Sequence, residues 1–266
     1  MIEDHWALER RAFANTPDPE FIYRSPSFAE GYARLLHDAT DLRGGLSLIT
    51  GEIGCGKTML ARALADRLAG STCDLIEVPY PKVTPTQMLQ TVAGGLGIQP
   101  LPKGKLALVQ AIAARLAARH AEGRRPVLIV DEAQLATPAL LEEIRLLTNH
   151  EARQDKYLHV VLLGQPELRQ RVKQRPQIDQ RVSLRFHVEP MEAEDVRGYV
   201  EHRLRVAGWK GKTIFTHDAF TALAARSEGI PRRINTLVTQ ALFVGAMRQL
   251  TAIDGELMFD VADDQE

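Results

Sequence analysis

The octet Gly51-Glu52-Ile53-Gly54-Cys55-Gly56-Lys57-Thr58 fits the spacing G-x-x-x-x-G-K-[ST], and the chemistry of that spacing is phosphate binding. The glycines let the backbone turn tightly and aim N–H groups at phosphate oxygens, and a following helix adds its positive end. Lys57 offers a point charge to the terminal phosphates and Thr58 a hydroxyl to magnesium, with Met59 extending the nucleotide-binding segment. The bland alternative is a chance match in a glycine-rich turn. A second pair, Asp131-Glu132, closes the apolar run Val127-Leu128-Ile129-Val130. At the C-terminal end of a central parallel strand, Asp131 suits the magnesium shell, and Glu132 suits accepting a proton from, or orienting, an attacking water. Alone, the pair reads equally well as two solvated carboxylates. The expected ligands are ATP and Mg2+.

Three further residues are candidates for the same chemistry. Gln165 follows the apolar run His159–Leu163, where a polar side chain can bridge water and terminal phosphate; the competing reading is a capping turn before Pro166. Arg181 falls just before the last strand, on an edge that in a ring faces a neighbour's nucleotide, or it belongs to a solvated basic stretch with Arg169, Arg171, Lys173, Arg175 and Arg185. Arg232 starts a helix after Gly229-Ile230-Pro231 and can reach back to phosphate. Two arginines at a helix start oppose the helix dipole, which favours the functional reading. The eight histidines show no metal spacing, and no Ser-His-Asp arrangement is suggested.

The elements that must position these residues alternate along the chain. Strands are expected at 46–50, 75–78, 127–130, 159–163 and 183–188, and helices at 59–68, 84–95, 106–120 and 138–149. Apolar residues on both faces of 127–130 suit a parallel sheet covered by helices, so the fold class is α/β with a doubly wound sheet. Before it, Gly44-Gly45 breaks the chain, and Phe28, Tyr32, Leu35 and Leu36 mark a helix with Ser27 as its cap and Glu30 three residues on. Residues 1–26 look irregular; Phe13, Phe21 and Tyr23 would pin them to a core or wall a ligand pocket. After Pro190 the strand signals stop, and 192–207, 217–227 and 231–250 read as helices. The expected organisation is an N-terminal segment contributing to the nucleotide pocket (1–26), an α/β ATPase domain (27–190), a small all-α lid (191–250) and a frayed acidic tail (251–266).

Bulk properties exclude little. Net charge is -1 and 45% of residues are hydrophobic, which is ordinary globular composition with no overall basic bias toward nucleic acid. Cys55 and Cys73 read as free thiols in a reducing compartment. The N-terminus lacks a signal-peptide pattern and no apolar run spans a bilayer, so the expected location is cytoplasmic, or peripheral to the inner membrane through partners, without direct insertion.

Four blocks together resemble one family: Thr16-Pro17-Asp18-Pro19-Glu20-Phe21; Asp131-Glu132-Ala133-Gln134 with Leu141–Asn149; Leu163-Gly164-Gln165-Pro166-Glu167-Leu168; and Gly229-Ile230-Pro231-Arg232-Arg233-Ile234-Asn235. They are similar to the ExeA/GspA-like branch of AAA+ ATPases, the general-secretion type, from about residue 6 to 250. The stretch 189–209 looks closest to short stand-alone members associated with exosortase and exopolysaccharide gene clusters. The resemblance implies an AAA+ core with a helical lid, Gln165 in the sensor-one position, Arg181 as a trans-acting arginine finger and Arg232 in the sensor-two position. Cys55 departs from the serine or threonine common in the loop, where the backbone is what binds. Relative to longer members, the expectation is an AAA+ core and lid without their membrane helix and peptidoglycan-binding domain. The implied activity is ATP hydrolysis in a homo-oligomer, ring or filament, acting as a motor or switch for envelope or export machinery. A related branch assists DNA transposition by polymerising on duplex DNA, and the core motifs do not separate the two roles.

Overall fold

The computed structural model describes residues 2–16, 18–40, 45–68, 73–152, 155–211 and 213–264. Pro17 of the N-terminal block, Gly44 of the expected chain break and the terminal Glu266 lie outside them. In chain order the elements are α1 (Ile2–Trp6), α2 (Pro26–Thr40), β1 (Leu46–Gly51), α3 (Lys57–Leu68), β2 (Leu75–Val78), α4 (Pro85–Gly95), α5 (Lys105–Ala121) and β3 (Val127–Val130). There follow α6 (Pro138–Leu147), β4 (Glu151–Ala152), β5 (Asp155–Lys156), β6 (His159–Gly164), α7 (Pro166–Lys173), α8 (Pro176–Asp179) and β7 (Val182–Val188). The chain ends in α9 (Ala193–Val206), α10 (His217–Ser227), α11 (Pro231–Met247) and α12 (Gly255–Asp263). By contacts it divides into two compact units.

The first unit, Glu30–Ile53 with Leu60–Val188, holds a five-stranded parallel sheet in the order β2-β3-β6-β1-β7. The central strands β1, β3 and β6 are buried at every position, as in a sheet covered on both faces. The expected α/β class and all five strands are present. The small antiparallel pair β4–β5 was not foreseen. Thr84 caps α4 through a reciprocal capping box with Gln87, and Thr137 caps α6.

The sheet core also carries polar groups. Ser47 Oγ donates to Asp38 Oδ2 at 2.6 Å and lies 3.1 Å from His159 Nε2, while Ser183 Oγ donates to the same Asp38 oxygen at 2.9 Å. Serine, histidine and aspartate thus meet in the core, but not in a catalytic order. Ser47, Asp38 and His159 are at most 1% exposed, and the carboxylate bonds the serine rather than orienting the imidazole. The group therefore satisfies buried strand polarity and is no nucleophile site.

The second unit, Met1–Ala29 with Gly54–Met59 and Glu189–Glu266, is all-α. Its core joins Trp6, Phe13 and Phe21 to apolar faces of α9, α10, α11 and α12. Residues 2–21 are thus less irregular than expected: α1 forms, and Trp6 Nε1 donates to Leu242 O at 2.8 Å. Residues 255–263 of the acidic tail form a packed helix, which corrects the expectation that the tail frays there. Asp254 caps α12, whose Leu257, Met258, Val261 and Ala262 are buried. At α2 the cap is Ser25, not Ser27: Ser25 Oγ accepts the Phe28 N–H at 3.3 Å, and Pro26 takes the first helical position. Ser27 Oγ instead accepts the Glu189 N–H at 3.2 Å.

Candidate nucleotide site

The phosphate-binding loop leaves β1 at Gly51 and enters α3 at Lys57. Gly54 and Gly56 adopt φ of +88° and +95°, which residues with a Cβ rarely do. A Cβ at Gly56 would meet nothing within 4 Å, so the loop's tight turn is set by backbone conformation and leaves open space. Glu52 and Ile53 are exposed, Cys55 and Lys57 buried, Thr58 exposed and Met59 partly covered. Thr58 follows Lys57 in the first turn of a twelve-residue helix, so the positive end of the α3 dipole lies at the loop's end.

Arg232 belongs to the same unit as the loop tip. Its N–H donates to Gly54 O at 3.4 Å, and a Cβ on Gly54 would stand 2.7 Å from Arg232 Cβ. Gly229 sets the entry to α11: its φ is +68° and an added Cβ would lie 1.9 Å from Met191 O. Arg233 is paired with Glu228 at 2.7 Å, while no hydrogen bond or ion pair engages the Arg232 guanidinium among the described residues.

In the sheet unit, the C-terminal strand ends are in register: Thr50 pairs with Gly164, and Val130 with Leu162. Asp131 extends β3 by donating its N–H to Val78 O at 3.0 Å. Glu132 then turns left-handed (φ 50°, ψ 36°), and its N–H donates to Asp131 Oδ1 at 2.8 Å. Gln165, half-buried, stands at the N-cap of α7 before Pro166, as the capping reading expects, but its side chain makes no cap hydrogen bond. Gly51, Asp131, Glu132 and Gln165 therefore share one sheet edge.

Arg181 does not join them. It precedes β7, which runs parallel to its neighbours, so it lies at the opposite end of the sheet, about 23 Å of extended strand away. No hydrogen bond or ion pair engages its guanidinium among the described residues. Burial and this guanidinium both pull the Lys156 ammonium below its usual range. Part of the surrounding basic run is used within the fold. Arg171 donates to the carbonyls of Gln134 and Ala136, Arg175 to Arg171 O, and Arg185 to Asp179.

Sequence reasoning gave Gln134 no role of its own, yet its side chain contacts both Glu132 and the Gln165 backbone. Only the register of β3 against β6 reveals this, because the two partners lie on different strands.

Comparison with known proteins agrees with this fold. The chain is 38% identical over 252 residues to the General secretion pathway protein A of Aeromonas hydrophila, covering 93% of this chain and 45% of that protein. It spans less than half the length of that relative. The fold is similar to the Aeropyrum pernix ORC2 protein in its ADPNP–ADP complexes (TM-score 0.71, 17% identity, 97% of this chain and 72% of that one). It is also similar to the Aeropyrum pernix ORC1 protein in complex with DNA (TM-score 0.71, 20% identity, 97% and 70%). A more distant likeness is to the Thermotoga maritima RuvB Holliday junction branch migration motor (TM-score 0.60, 15% identity, 96% and 73%). With residues 40–172 matching its AAA domain, the chain belongs to the AAA family of P-loop proteins.

Proposed function

We propose that this chain binds Mg-ATP and hydrolyses it, working as a homo-oligomeric motor or switch in the assembly of a secretion, envelope or exopolysaccharide-export system. The observation that carries the reading is the loop: two glycines at positive φ, open space at Gly56 and a helix N-terminus directly behind. That backbone fits a chain of phosphates, because its N–H groups and helix dipole favour an anion there.

In this reading Lys57 and the N–H groups of residues 51–58 hold the triphosphate. Thr58 and Asp131 hold magnesium, which when bound neutralises charge on the phosphate oxygens. Glu132 accepts the proton of the water that attacks the terminal phosphorus, and ADP departs. Gln165 orients that water and Arg232 meets the phosphates. Arg181, at the far end of the sheet, serves the site of a neighbouring copy; among the described residues no hydrogen bond or ion pair engages its guanidinium, which supports that role. The organisation proposed is a nucleotide-contacting segment 1–26, an ATPase domain 27–190 and a helical lid from 191 that includes α12.

The export role rests on similarity to a protein named for general secretion. No helix among the described residues is long and apolar enough to cross a membrane, so attachment to envelope machinery would run through partners. The engagement of Arg171, Arg175 and Arg185 within the fold weighs against the duplex-DNA reading, while Arg169 and Lys173 stay exposed. The test is ATP calorimetry on wild type and Lys57→Ala, with duplex-DNA anisotropy across a salt series in parallel. The reading expects ATP binding lost in the variant and DNA binding that vanishes near physiological salt. ATP binding retained without Lys57 contradicts the site, and submicromolar, nucleotide-dependent DNA binding at physiological salt contradicts the role.

A further inference from the structure

We propose that Gln134 is a positioning residue that clamps the carboxylate of Glu132 to the segment following β6; this rests on Glu132 being the base. The Gln134 amide Nε2 donates to Glu132 Oε2 at 2.5 Å, and its Oε1 accepts the Gln165 N–H at 3.2 Å. One amide orientation satisfies both contacts, because the nitrogen is the donor and the oxygen the acceptor. One carboxylate oxygen of Glu132 is thereby fixed and the other is left for water.

Independent features hold Gln134 in place. Gly164 ends β6 where a Cβ would stand 2.7 Å from Gln134 Oε1, so glycine makes room for the carboxamide. The Arg171 guanidinium, one turn into α7, donates to the backbone carbonyls of Gln134 and Ala136 and braces the 3-10 turn Ala133–Leu135 from below. Glu132 itself sits in the left-handed region, which a non-glycine residue holds only when its surroundings fix it. The base segment and the Gln165 segment are therefore tied side chain to backbone and backbone to side chain. A shift of the loop after β6 moves the Glu132 carboxylate with it. A base acts only when its oxygen is in line with the water, so this clamp acts on turnover and not on nucleotide affinity.

The experiment compares wild type, Gln134→Met, Gln134→Glu and Glu132→Gln in ATP turnover, with Kd for a non-hydrolysable ATP analogue and Tm alongside. Gln134→Met keeps the length and removes both hydrogen bonds. It is expected to lower kcat about tenfold, with KM, Kd and Tm near wild type. Gln134→Glu keeps the acceptor but sets a carboxylate against Glu132, so its kcat falls further. A merely structural role would lower Tm and weaken Kd together. If Gln134→Met fails to fold, Gln134→Glu carries the test alone. A kcat within twofold of wild type in the folded variants, while Glu132→Gln is inactive, overturns the clamp. Undiminished turnover by Glu132→Gln overturns the reading beneath it instead.

Discussion

Replacing Arg203 with methionine is expected to loosen the N-terminal strap from the helical unit. Arg203 is 4% exposed. Its Nε donates to Ala12 O at 2.7 Å, Nη2 to Ala14 O at 3.1 Å and Nη1 to the Tyr199 hydroxyl at 2.9 Å. The guanidinium also lies 4.9 Å from the Phe21 ring centroid and 5.8 Å from that of Phe13. Methionine retains much of the aliphatic packing but strands the two carbonyls, at about 1–1.5 kcal/mol each, and loses cation–π contacts worth about 1 kcal/mol. The loss is about 3–4 kcal/mol, a large part of a typical domain's stability. Arg203→Lys keeps the charge but has one nitrogen in place of a fork, and is expected to lose about half as much. Both tryptophans, Trp6 and Trp209, lie in the helical unit, so tryptophan-detected urea unfolding reports on this unit. A shift below about 1 kcal/mol for Arg203→Met, or full stability in Arg203→Lys, would refute the reasoning.

Two other outcomes follow from side-chain environments. Burial, with Asp74 adding to it, pushes the Cys73 thiol up to about 11, so the thiolate is scarce at neutral pH. In a Cys55→Ala background, Cys73 should react with a disulfide reagent on the order of a hundredfold slower than an unhindered cysteine at pH 7.5, and faster as pH rises toward 11. A rate matching a free thiol would contradict the buried placement. If Arg181 acts in trans, Arg181→Ala lowers turnover on the order of a thousandfold, with ATP affinity kept. Mixing it with Glu132→Gln under subunit exchange should restore activity at interfaces pairing an intact Arg181 with an intact Glu132. Absence of any recovery would exclude the trans role.

The strands were legible because short, mostly apolar runs buried on both faces have no other home in a sheet covered on both sides, as the four apolar residues of β3 illustrate. The loop was legible because its backbone demands glycine at two positions and a helix behind. What escaped depends on partners distant in sequence. Helix α1 is five residues long, and Trp6 is held by a carbonyl 236 residues away. Acidic composition disguised α12, although Leu257, Met258, Val261 and Ala262 already trace one helical face and Asp254 a cap. The cap of α2 is Ser25 where the sequence reading names Ser27, although Pro26 at the first helical position signals the earlier start. Gln134 and the Ser47–Asp38–His159 group required strand register, which no single segment encodes.

The most direct test of the central claim is phosphate release by Glu132→Gln beside wild type, with ATP binding to both measured by calorimetry. Glutamine preserves size and hydrogen bonding but accepts no proton, and a positioned general base contributes about a hundredfold or more to the rate. The account predicts ATP affinity equal to wild type with turnover reduced at least about a hundredfold. Equal turnover by wild type and Glu132→Gln would contradict it.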